Sequence, residues 1–362
     1  MLKEMNSLGR VPNGPVMVAA AQTVAPLFNI RAGVAKCCDF IAKAAAGNAR
    51  LVVFPEAFLP GFPIWNGLYR PIDAHSFFRR FAESSLDVTG PLFAEILAAA
   101  ARHRIFVNLG FSEVSSGSRG CLWNSQVLIG DDGSILNHHR KLVPTFYEQL
   151  SWNRGDAAGL RVVDTAIGRV GGLICGENNN PLARYVLMSG AEEIHCANYP
   201  SIWPFRDPRG GAPYDLRKAI HFRAAAHSFE AKVFTVVSAG VLDEQTIATV
   251  SEGNAEIEEI MRACPQACSM VISPMGDIIA EQPAGQEGIL FAEIDLRGLV
   301  ELRQHHDMAG YYNRSELFRL SLVRERPRVL SSAGLSDSPV TQDEIVEGSF
   351  APREGGLKVA AK

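Results

Sequence analysis

The chain has 362 residues, of which 47% are hydrophobic and 20% charged, so it can bury a large core. Its net charge of −4, with no concentrated basic patch, argues against a nucleic-acid surface. No apolar run reaches the length of a membrane span, and no repeat recurs at a solenoid period.

Residues 16–22 read as a first strand, 33–46 as an Ala-rich amphipathic helix and 51–54 as a second strand. The apolar run Leu51-Val52-Val53-Phe54 is typical of a buried strand and closes on Pro55 and Glu56. Glu56 therefore falls at the C-terminal edge of a strand, where open α/β sheets commonly put their ligands. Residues 91–103 form the next helix, with proline near its first position and basic residues in its last turn, and 105–111 return as strand. Val127-Leu128-Ile129 and Ile135-Leu136 flank the turn Asp131-Asp132-Gly133, a hairpin whose second strand delivers Lys141 at its exit.

Residues 170–174 lead into Cys175, within Gly171-Gly172-Leu173-Ile174-Cys175-Gly176-Glu177-Asn178. A sulfur nucleophile is thus placed at a strand-to-helix elbow. Nearby backbone N–H groups and the helix N-terminus are expected to lower the thiol pKa and stabilise an oxyanion. Residues 181–188 continue as helix, 193–197 as strand and 216–231 as a long helix whose alanines allow close packing. Strands at 233–238, 269–273 and 290–294 complete a layered α/β alternation. No linker or charge run interrupts residues 1–330, which read as one domain, while 331–362 are poor in large apolar residues and are expected to be a mobile or interface-wrapping tail.

A carboxylate, an ammonium and a thiol each fall where a strand gives way to a loop. By residue type alone, Glu56 is equally a helix cap or solvated carboxylate, Lys141 a surface lysine and Cys175 an inert buried side chain. His138-His139 and His305-His306 are adjacent pairs that would point to opposite faces of a strand, and Cys264 and Cys268 have no matching second pair. With no phosphate-binding glycine loop, neither metal nor nucleotide cofactor is expected. Seven irregularly placed cysteines suit reduced thiols, and residues 1–7 lack an apolar leader core, so the cytoplasm is the expected compartment.

Phe54-Pro55-Glu56, His139-Arg140-Lys141 and Cys175-Gly176-Glu177-Asn178, in that order and spacing, resemble the nitrilase (carbon–nitrogen hydrolase) superfamily from about residue 16 to 318. Pro144-Thr145-Phe146-Tyr147-Glu148, the helix after Cys175, and the late segment from Asp307 to Arg314 resemble its nitrilase branch. Three positions depart from that branch: Gly176 stands where many members have tryptophan, and Tyr311 and Ser315 replace a histidine and a proline.

The resemblance implies a four-layer αββα sandwich with two central mixed β-sheets. It implies Cys175 as nucleophile, Glu56 as general base, and Lys141 with the backbone N–H of Gly176 as stabilisers of developing negative charge. Glu148 would orient Lys141 and the attacking water. Asn198, Tyr199 and Trp203 would line the substrate pocket, although Trp203 reads equally as core or subunit interface. The implied reaction converts a small-molecule nitrile to the acid and ammonia, with an amide or carbamoyl amide as the alternative substrate. A homodimer extending into a larger homo-oligomer or spiral is the expected assembly. Glu177 and Asn178 are expected to cap the following helix or hold the elbow.

Overall fold

In the computed structural model, which describes residues 12 and 14–326, strands and helices alternate much as the apolar periodicity predicts. The first half runs β1 (Val16–Val24), α1 (Ile30–Ala46), β2 (Leu51–Val53), α2 (His75–Ser84), α3 (Pro91–His103), β3 (Phe106–Ser115), β4 (Ser118–Ile129) and β5 (Ile135–Arg140). The second runs β6 (Val163–Thr165), β7 (Gly168–Ile174), α4 (Pro181–Ser189), β8 (Ile194–Tyr199), α5 (Leu216–Ala231), β9 (Phe234–Val241), α6 (Glu244–Ser251), α7 (Ala255–Ala263), β10 (Met270–Ile272) and β11 (Ile278–Glu281). The chain then returns to the first half as β12 (Gly288–Ile294) and ends its described helices with α8 (Leu299–His305). The expected tail, 331–362, lies outside the described residues.

The strands form a mixed α/β sheet in two halves with the same pattern of directions. In the first, β12 is antiparallel to β1, β1–β2–β3 are parallel, and β4 and β5 follow antiparallel. In the second, β6 is antiparallel to β7, β7–β8–β9 are parallel, and β10 and β11 follow antiparallel. Among the described residues, the strand ladders of the two halves meet where Thr23 pairs with Gly240 and Val24 with Val241.

Packing, more than that junction, joins them. The period of two along β1 sends Ala19 and Ala21 toward Val34, Ile41, Phe93 and Ile96 of α1 and α3. Val18 and Ala20 instead enter a cluster holding Leu51, Val53 and Phe106 from the first half and Val170, Ile194, Val236 and Val271 from the second. Each fully buried Val, Leu or Ile there is worth about 1.5–3 kcal/mol, whereas a backbone hydrogen bond nets about 1 kcal/mol. On the far side, Leu216, Ile220 and Ala224 of α5 pack on Ala197, Tyr199, Val237 and Ala239.

Helix α5 has the expected bounds because Asp215 caps the N–H of Lys218 and the chain leaves at Lys232 with φ 52°. Helices α6 and α7 were not among the expected elements. They are short, and α7 buries only Ile257 and Met261. Among the described residues, no helix is long and apolar enough to cross a membrane.

Candidate active site

Three loops at strand ends converge. The first leaves β2 through Phe54, whose N–H donates to Asn108 O, and Glu56 N–H then reaches Tyr199 O of the second half at 3.3 Å. Its path crosses β3 at Gly110, where a Cβ would sit 2.3 Å from Pro55 O and 3.0 Å from Ala57 N. Only glycine permits that approach.

The second loop leaves β5. Lys141 N–H donates to Asn124 O at 2.8 Å, and Lys141 O accepts from Gly155 N–H at 2.8 Å. A single 3-10 turn, Phe146–Leu150, then brings Glu148 back, with Thr145 N–H donating to Glu148 Oε2 at 3.0 Å. The third is the elbow after β7, where Cys175 adopts φ 48°. Asn178 Nδ2 donates to the carbonyls of Leu173 and Cys175, and Glu177 accepts from Ile174 N–H at 2.9 Å and Leu142 N–H at 2.6 Å.

Lys141 Nζ lies 2.6 Å from Glu56 Oε1 and 2.6 Å from Glu148 Oε2, and none of the three side chains has solvent exposure. A carboxylate oxygen of each glutamate and Cys175 Sγ lie within 4.8 Å of one another. Asn124 Nδ2 donates to Glu56 Oε1 at 2.8 Å. Glu56 Oε2 and Glu148 Oε1 are buried without a partner. Each carboxylate thus spends one oxygen on the ammonium and keeps one free, so the trio is already filled by Lys141 and is no cradle for a metal ion.

Burial governs the charges here. Desolvation would lower the Lys141 pKa, but Glu148, Glu56 and Cys175 outweigh it and hold the ammonium far above its ordinary range. Desolvation pushes Glu148 up to about 7 against the attraction of Lys141, with Glu56 adding repulsion. The Cys175 thiol is also raised well above its ordinary value, by desolvation first and Glu56 second. The expected lowering at the elbow is therefore corrected: Lys141 does pull toward thiolate, but burial and a carboxylate win. The resting group is a thiol with an acceptor beside it.

The structure brings Glu56, Lys141, Glu148 and Cys175 together; the remaining expected residues are placed differently. Gly176 is half-buried beyond the thiol, and a Cβ there would meet Thr145 Oγ1 at 2.7 Å. Asn198 is fully buried between the sheet halves, donating to Phe54 O at 2.5 Å and Asn108 Oδ1 at 3.0 Å and bonded to Gln126. Tyr199 shares a cluster with Cys175, and its hydroxyl is buried without a partner. The Trp203 ring stacks on Tyr147 at 4.4 Å and meets Phe62 edge-on at 6.0 Å. A cavity of about 30 Å³, enough for a water or two, is lined by Glu56, Phe58, Phe62, Pro200 and Ser201 among others.

Asn124, His139 and Tyr147 are residues whose part in the site the sequence did not reveal. His139 Nε2 faces Glu177 Oε2 at 3.0 Å while His138 Nε2 faces Glu113 Oε2 at 2.8 Å, so the neighbouring imidazoles do serve opposite sides. Glu177 holds the elbow, but the helix cap belongs to Asn180, which accepts from Leu182 and Ala183 N–H. An asparagine in a strand of alternating residues, such as Asn124, carries no local mark of what it will face.

A family model described as carbon-nitrogen hydrolase matches residues 17–304. A nitrilase of Paraburkholderia phymatum is 34% identical over 86% of this chain and 88% of its own length. An arylacetonitrilase of Aspergillus kawachii is 33% identical over 85% of this chain and 92% of its own. The crystal structure of Saccharomyces cerevisiae Nit3, a member of branch 10 of the nitrilase superfamily, has the same fold with a TM-score of 0.62, at 20% identity over 84% of this chain and 97% of that one. The fold, the three converging loops and these similarities together place the chain in the carbon–nitrogen hydrolase family, the nitrilase superfamily.

Proposed function

We propose that the chain is a nitrilase, converting an organic nitrile to its carboxylic acid and ammonia through a covalent adduct on Cys175. One observation carries this: a buried thiol beside two carboxylates that share one ammonium, each with an oxygen left unpartnered.

A nitrile carbon is a weak electrophile and water a weak nucleophile, so sulfur divides one hard step into easier ones. Glu56 takes the thiol proton as sulfur bonds to the nitrile carbon and one C–N π bond opens, then passes that proton to the nitrogen, giving a thioimidate and restoring the carboxylate. Lys141 and the Gly176 N–H stabilise the charge gathering on nitrogen. Water gives a proton to Glu56 and adds to the thioimidate carbon as the second C–N π bond opens; Glu56 passes that proton to nitrogen, the hydroxyl proton follows as the C–N single bond breaks, ammonia leaves, and a thioester remains. A second water releases the acid and restores the thiol. Glu148 holds Lys141 in place, and Trp203 flanks the substrate's aryl or alkyl group.

The clusters that pack α1 and α3 on one sheet half, the halves on each other, and α5 on the second half support a four-layer αββα sandwich. The same reading gives a homodimer extending into a larger homo-oligomer, for which activity that falls on dilution is the check.

Ammonia release from a panel of nitriles, arylacetonitriles included, and their matched amides tests the assignment, with Cys175→Ala as control. Turnover of nitriles lost in the variant is expected. Turnover of amides alone would move the chain to amidase activity with the same residues.

A further inference from the structure

A buried hydrogen-bonded chain leads away from the thiol elbow into the second sheet half. Asn178 Nδ2 donates to Leu173 O at 3.2 Å and Cys175 O at 3.0 Å. Those two carbonyls fix the amide's orientation, so its Oδ1 faces His195 Nε2, 2.8 Å away. His195 Nδ1 lies 2.8 Å from Glu192 Oε1, and Glu192 Oε2 lies 2.7 Å from His227 Nε2. Asn178, Glu192, His195 and His227 are all at most 2% exposed.

Nε2 of His195 donates to Asn178 Oδ1, and Nδ1 faces the Glu192 carboxylate, so the ring is fixed from both sides. Each histidine is bonded to a different oxygen of Glu192. The facing atoms of Glu192, His195 and His227 are spent on one another, which makes the group a chain and not a metal cradle, and His227 Nδ1 is left buried without a partner. A buried polar cluster gains little over apolar packing of the same volume. Its connection to the elbow gives it another use. Cys175 has φ 48°, a conformation costing about 1–3 kcal/mol that persists only where surrounding structure imposes it.

We propose that Glu192 and His195 are positioning residues: acting through Asn178, they hold the Cys175 backbone in the left-handed conformation that aims its sulfur at Glu56 and Lys141. The proposal rests on Cys175 being the nucleophile. His195 presents a rigid donor to the Asn178 amide, Glu192 fixes the ring, and His227 anchors the second carboxylate oxygen to α5. Loss of the His195 donor frees the amide to rotate, and the elbow loses its hold on the Cys175 carbonyl.

The test compares His195→Ala, His195→Gln, Asn178→Ala and the His195→Ala/Asn178→Ala double variant, with folding checked by circular dichroism. Two rates are read: nitrile turnover, and alkylation of Cys175 by iodoacetamide located by mass spectrometry. His195→Ala should lower kcat about 10–100-fold with KM nearly unchanged, the scale expected when a reacting group is misplaced by about 1 Å. His195→Gln, whose amide still donates to Asn178, should recover most of the loss. In the Asn178→Ala background, removing His195 should add less than about twofold, because both act on one path. If His195→Ala does not fold, a folded Asn178→Ala with wild-type kcat overturns the proposal by itself, and one with reduced kcat and unchanged KM supports it. Independent multiplication of the two losses, or no recovery by glutamine, overturns it as well. Should the protein turn over no nitrile, coupled losses in Cys175 alkylation would uphold the positioning chain while the nitrilase reading fails.

Discussion

Glu177 and Leu142 are joined by a 2.6 Å hydrogen bond from the Leu142 N–H to the Glu177 carboxylate. One residue lies two positions after the thiol and the other directly follows the ammonium, so this bond ties the nucleophile elbow to the lysine loop. The same carboxylate takes the Ile174 N–H and faces His139. Burial alone would raise its pKa, yet His139 and the two backbone donors outweigh burial and hold it below the ordinary carboxylate value. Glu177→Gln keeps the shape and removes the charge. It should destabilise the fold by about 2–4 kcal/mol, the range for breaking a buried charge-assisted network, and slow turnover as the two loops separate. Urea unfolding at pH 7 measures the first; a variant as stable as the parent would mean that the loops are held elsewhere.

Glu56 has two separable effects on the thiol. In the proposed reaction it is the proton acceptor for attack, and its charge raises the thiol pKa. Glu56→Gln should therefore abolish turnover by about 10²–10⁴-fold while making Cys175 more reactive toward iodoacetamide at pH 8, because Lys141 then pulls toward thiolate with one opponent fewer. A parallel fall in both rates would remove the electrostatic half of this account.

Lys141→Met leaves two buried carboxylates facing each other. The expected loss is about 3–5 kcal/mol near neutral pH, as for any buried pair broken on one side, and it should shrink at pH 5 as Glu148, raised to about 7, takes a proton. Stability followed by urea titration at both values decides this, and an equal loss at both would show that packing of the lysine stem, and not its charge, was lost.

Glu148 titrates at about 7 in the folded protein against an ordinary 4.5. The native state thus holds a proton that the unfolded chain releases, so this stability is present below 4.5 and is lost as pH rises toward 7, by about 3 kcal/mol. Glu148→Gln removes that dependence. Unfolding midpoints from pH 5 to 7.5 should fall more steeply in the wild type than in the variant, and coincident slopes would contradict the raised value.

Gly110→Ala tests the backbone under Glu56. A methyl group would lie 2.3 Å from Pro55 O, so the loop must rise and Glu56 must leave Lys141. Turnover should fall at least about 10²-fold, the cost of an ångström-scale misplacement, with the fold retained. A variant of normal rate would show that the loop can shift without moving the carboxylate.

Much of this arrangement was legible in the chain because the active residues sit beside strong local signals. The run Leu51-Val52-Val53-Phe54 ends at Glu56, the Asp131-Asp132-Gly133 turn fixes the register that delivers Lys141, and the glycine-flanked apolar run ends at Cys175. Those signals fall within a few residues of the group they place. Asn198 shows where such reading stops: it follows the right strand, yet it is turned into the space between the sheet halves to bond Asn108 and Phe54 O. Which face an end-of-strand residue takes depends on the sheet packed against it.

By itself, then, the sequence determined most of the strands and helices and which carboxylate, ammonium and thiol stand at strand ends, because each follows from periodicity and turn chemistry over short spans, while the family came from the resemblance of its three motifs. Only the tertiary structure decided that the thiol is held neutral. The charges of Glu56, Lys141 and Glu148 act through space on a group from another loop, and burial, a property of the whole packed chain, outweighs the lysine beside it.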